Sequence, residues 1–170
     1  GLYPWSCGMS IPTIDISPFF REGVEARRAR RYAAAELRHA CAEVGFFCIV
    51  GHQVPEQLVE DFIVASREFF VHAVEEEKCS IALDAETYRG YQRIGENVTG
   101  GQRDLHEAVD LFRELEPHDV HMGAFEHVGP VDGIQKVAFG RNKWPHAPAS
   151  FKPLSEMYTE QMLQLGAKGS

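Results

Sequence analysis

Residues 24–51 constrain the fold more than any other stretch. From about Val24 to Val44, alanine and apolar residues recur at a 3.6-residue period, which predicts a helix. Gly45 stands where a helix can end in a left-handed conformation. Phe46–Val50 follows at once, a five-residue apolar run closed by Gly51, and such a run reads as a strand covered on both faces. Within the helix, Arg27, Arg28, Arg30 and Arg31 fall on one arc while Ala26, Ala29, Ala33, Leu37 and Ala40 fall on the opposite one. The arginines are read as a solvated face and the alanines as the packed one.

The flanking segments extend this pattern. Ile11–Ile16 reads as a short strand broken by Ser17-Pro18. Pro55 opens a second helix at a position where its missing N–H costs nothing, and Leu58, Val59, Phe62, Ile63, Phe69 and Phe70 give that helix an apolar stripe through about His72. Glu75-Glu76-Glu77 is taken as a solvated acidic turn, and Tyr88–Gly101 as loop. A strand is expected within His106–Arg113, loop over Glu116–Asp132, and a short extended piece at Ile134–Phe139. The last helix spans about Ser150–Leu165 with Leu154, Met157, Tyr158, Met162 and Leu165 inward. The alternation of strands and helices makes the chain α+β.

The 170 residues are 44% hydrophobic and 25% charged, a globular balance with room for a core. A net charge of −8 argues against nucleic acid or an anionic membrane as partner, because phosphates repel an acidic surface. No apolar run is long enough for a membrane-spanning helix, and the expected location is cytoplasmic. Cys7, Cys41, Cys48 and Cys79 form no C-x-x-C pair, and Cys41 and Cys48 are expected as buried thiols among apolar neighbours. Residues 1–10 are expected to be disordered or to belong to an upstream segment, and the domain to run over 11–168.

Eight segments together resemble the isopenicillin N synthase-like family of iron and 2-oxoglutarate oxygenases. They are Ile11–Ile16, Ala40–Phe47, Gly51-His52-Gln53-Val54-Pro55, Ser66–Phe70, Glu77-Lys78, Tyr88-Arg89-Gly90-Tyr91, Gly95–Thr99 and Asn142–Pro145, in the family's order. The resemblance implies helices and a few strands that brace and extend a double-stranded β-helix, or jelly roll, whose core half is missing here. It implies Fe(II) and 2-oxoglutarate in the full-length enzyme, held by a His-x-Asp pair, a later His and an Arg-x-Ser pair in the C-terminal half. None of the eight histidines here is followed two residues later by Asp or Glu, and no arginine by serine at that spacing. No catalytic, metal or cofactor residue therefore carries over, and this chain is expected to bind neither group. The expected partners are the missing C-terminal half and, in the full-length enzyme, a small-molecule substrate.

The resemblance also brings the Arg-Gly-Tyr loop towards the open end of the barrel, which makes Tyr91, with Arg93 and Asn97, the substrate-facing candidates. The competing reading has Arg89 and Tyr91 anchor the loop against the core, the ring packed and the hydroxyl partnered. Two other constellations carry less. His118, His121, Glu126 and His127 are read as surface residues rather than a metal site, since their spacing on a loop sets no geometry. His106 and Glu107 point to opposite faces of a strand, and Asp110 lies about 13 Å from His106, too far for direct cooperation. A functional alternative is a non-catalytic binding or regulatory module that recruits a partner through an open sheet edge.

Overall fold

The computed structural model describes residues 10–115 and 139–168. The His118–His127 loop, the piece at Ile134–Phe139 except its last residue, and Cys7 lie outside them. The chain divides into two compact units, one of Gly1–Glu56 with Glu160–Ser170 and one of Gln57–Thr159.

The first unit is a strand–helix–strand arrangement. β1 (Thr13–Asp15) pairs in parallel with β2 (Cys48–Val50), in the register Thr13–Cys48, Ile14–Ile49, Asp15–Val50. Between them come a 3-10 turn (Ser17–Phe20) and α1 (Val24–Glu43). Ala26, Ala33 and Ala40, seven residues apart, are the buried positions of α1, and the small Ala40 side chain packs with Ile14 and Ile16. Arg30 leaves the solvated arc, donating from Nε to the Pro18 carbonyl at 3.0 Å and from Nη2 to that of Arg21, so it holds the 3-10 turn onto the helix. Gly45 ends the helix at φ 85°, its N–H reaching the Ala40 carbonyl five residues back at 2.9 Å.

Two expectations fail here. The apolar run after Gly45 forms a strand only over Cys48–Val50, and it is not covered on both faces: Phe46 is 73% exposed and Val50 46%. Among the described residues β2 pairs with β1 alone, so the sheet has too few strands to be enclosed. Cys41 and Cys48 are exposed rather than buried. One residue past Ala40, Cys41 is rotated about 100° off the packed arc.

In the second unit, α2 (Glu56–Arg67) runs into a wider π turn (Glu68–His72), followed by α3 (Glu75–Ser80). The acidic triplet is thus the first turn of a helix, where negative charge favours the dipole, rather than a free turn. The stretch expected as loop contains β3 (Gly90–Gln92) and β4 (Val98–Thr99). β4 forms a hairpin with β5 (Gln102–Arg103) through Gly100-Gly101, both at positive φ as a two-residue hairpin turn requires. β3 pairs antiparallel with β6 (Ala108–Asp110), which falls inside the expected His106–Arg113 strand. α4 (Phe151–Lys168) closes the described chain.

The core of this unit is aromatic. Phe69, Tyr91 and Phe151 gather with Ile81, and the Phe69 ring meets Tyr91 edge-on at 6.1 Å and Phe151 at 5.3 Å between centroids. The inward face of α4 is set by Phe151 and Ser155, both nearly inaccessible, and not by Met157, which is 56% exposed. Ser155 satisfies its hydroxyl on the Phe151 carbonyl at 2.7 Å, so a small polar residue can be buried on this face. The architecture is α+β with two-stranded sheets and no closed barrel among the described residues, and no described helix is long and apolar enough to cross a membrane.

Candidate functional site

The Tyr88–Tyr91 segment is held by its own backbone before any side chain acts. Asp84 Oδ1 accepts the N–H groups of Glu86 and Thr87 at 2.8 and 2.9 Å, and these bonds hold its carboxyl below the usual carboxylate range. The chain then reverses, with Asp84 and Arg89 joined N–H to O at 2.9 Å. Tyr91 N–H donates to the Ile81 carbonyl at 2.7 Å, and Leu83 N–H to the Tyr91 carbonyl at 2.9 Å. Gly90 is required between them: it sits at φ 121°, and a Cβ there would stand 2.4 Å from the Ile81 carbonyl oxygen.

Arg89 is fully buried. Its Nε donates to Asn142 Oδ1 at 3.2 Å, its Nη1 to the Thr87 carbonyl at 3.2 Å, and its guanidinium lies 4.8 Å from the Phe112 ring centroid. Asn142 does more than receive it. Its amide brackets the Phe112 backbone, accepting from N–H at 3.0 Å and donating to C=O at 2.7 Å. Its own N–H donates to Glu114, which pairs with Arg141 at 2.9 Å. Gly140 leaves the room, since a Cβ there would stand 2.5 Å from Arg89 Nη1. Arg89 is thus an anchor that staples three distant stretches of the second unit.

Tyr91 faces the core. Its ring is 3% exposed, and its hydroxyl donates to Glu107 Oε2 at 2.6 Å. The same oxygen receives Lys78 Nζ at 2.9 Å, and Nζ also donates to the Phe70 carbonyl at 2.6 Å. Burial, then the Glu107 hydrogen bond and charge, push the tyrosine hydroxyl well above its ordinary range. For Glu107, burial alone would raise the carboxyl, but the Tyr91 and Lys78 bonds outweigh it and hold it below the ordinary value.

Arg93 and Asn97 are exposed and each has a different partner. Arg93 pairs with Glu75 at 2.9 Å and contacts the Cys79 sulfur. The Asn97 amide donates to Gln92 Oε1, and the Gln92 amide donates to Asp110 Oδ2. The three sequence candidates therefore do not converge on one point. Lys78 and Asn142 lie in the family-like segments and Glu107 is weighed beside His106, but the way they organise this region is not foreseen. Their partners stand 16 to 53 positions away and no local spacing announces them.

In the first unit, the Gly51–Pro55 segment also has a defined geometry. Gly51 is pressed against Asp15, where a Cβ would stand 2.6 Å from Oδ1, and His52 Nδ1 accepts the Val54 N–H at 3.1 Å. A cavity of about 290 Å³ opens beside it, walled by His52, Val54, Gln161 and Leu165 among others. Among the described residues, no three His, Cys, Asp or Glu side chains are grouped to hold a metal ion. With the His-x-Asp and Arg-x-Ser motifs missing from the sequence as well, these residues do not fit an iron–2-oxoglutarate centre.

Comparison with known proteins supplies the wider setting. The family model described as the N-terminal region of non-haem dioxygenase in morphine synthesis matches residues 11–147. Homoarginine-6-hydroxylase 2-ODD-C23 of Glycine max is 37% identical over 163 residues, 94% of this chain and 46% of the relative. Homoarginine-6-hydroxylase 2-ODD-C23.1 of Arabidopsis thaliana has the same identity and coverage. The 2-oxoglutarate-dependent dioxygenase frbJ of Dothideomycetidae sp. is 31% identical over 158 residues, 92% of this chain and 38% of that protein. The chain spans about half the length, or less, of these curated relatives.

Proposed function

Since the chain belongs to the family of non-haem dioxygenase N-terminal regions and is the N-terminal half of a 2-oxoglutarate and Fe(II) oxygenase, we propose that the whole protein hydroxylates a basic amino acid carrying a guanidino group. The reaction joins substrate, O₂ and 2-oxoglutarate and yields hydroxylated product, succinate and CO₂. The observation that carries the substrate class is the match to homoarginine-6-hydroxylases along 94% of this chain.

In this reading residues 11–168 are a scaffold that is catalytically silent alone, and Fe(II) and 2-oxoglutarate are held by residues outside the chain. The two-stranded sheets extend a jelly roll, and the Arg89 staple and the Tyr91–Glu107–Lys78 bonds keep the supporting surface rigid. The partners are the C-terminal half of the same protein and a small-molecule substrate. The test is full-length protein with Fe(II), O₂ and 2-oxoglutarate, assayed for homoarginine-dependent succinate and a hydroxylated product. Turnover of 2-oxoglutarate that homoarginine does not stimulate would remove the substrate class while keeping the enzyme class.

A second reading, a non-catalytic binding module, is supported by one observation, the exposure of Phe46 and Val50 beside a strand edge that has no partner among the described residues. It requires a stable 170-residue product in cells, bound to a defined protein, and is lost if no such product exists.

A further inference from the structure

We draw no further inference here: the strongest candidate, the cavity of about 290 Å³ walled by His52, Gln53 and Gln161 in the first unit, has an uncharged lining whose polar side chains are exposed or half-buried, and nothing in the structure shows what covers it.

Discussion

Individual side chains in the second unit act by satisfying one another rather than by standing ready for chemistry. Tyr91, Glu107 and Lys78 share one carboxylate oxygen, and each loses a partner if another is removed. Tyr91→Phe should cost about 1 kcal/mol of stability by denaturant unfolding, the net worth of one hydrogen bond, while Lys78→Met should cost more because it strands Glu107. The pH profile separates the two ionisations. Glu107 is held below its ordinary 4.5, so the stability it contributes is present above that value and is lost as the pH falls towards its folded one. Tyr91 is raised above 10.0, so its contribution is complete below that value and declines as the pH climbs past it. Thermal melting across pH should therefore decline at both ends, and Tyr91→Phe should lose the alkaline decline while keeping the acid one. Gly140→Ala tests the Arg89 staple. With a Cβ 2.5 Å from a buried guanidinium, it should cost about 1–3 kcal/mol, whereas alanine at Gly100, which meets nothing within 4 Å, should lose only what its positive φ demands.

At the scale of elements, α1 is held to its sheet by close packing of alanines. Ala40→Leu would force about three extra carbons into a 1% exposed position and should destabilise by about 1–3 kcal/mol, while alanine-to-leucine at exposed Ala34 should be near neutral. This helix and its Gly45 stop were legible because twenty residues of periodic pattern and one glycine signal the same boundary. The strands of two and three residues at Gly90–Gln92 and Val98–Thr99 were not, since nothing that short can display a period. Of the five residues expected inward on α4, Leu154, Tyr158, Met162 and Leu165 are half-buried and Met157 alone is exposed, while Ser155 closes its hydroxyl on its own helix and packs like a small residue. Of the candidate site, the Tyr88–Tyr91 segment stood out by its residue types, but the Tyr91–Glu107 and Lys78–Glu107 bonds join residues 16 and 29 positions apart, which local sequence does not record.

For the whole molecule, this chain belongs to the family of N-terminal regions of 2-oxoglutarate and Fe(II) oxygenases, and the proposal is that iron and 2-oxoglutarate are held elsewhere in the protein. Family membership and 37% identity to homoarginine-6-hydroxylases support it, and so does a sequence without a His-x-Asp or Arg-x-Ser pair. The most direct measurement compares the full-length protein with residues 1–170 alone, each with Fe(II), O₂ and 2-oxoglutarate, following succinate with and without homoarginine. Homoarginine-stimulated succinate is expected from the full-length protein and none from the 170-residue chain. Succinate from the chain alone, or a full-length protein inert towards 2-oxoglutarate, would contradict the proposal.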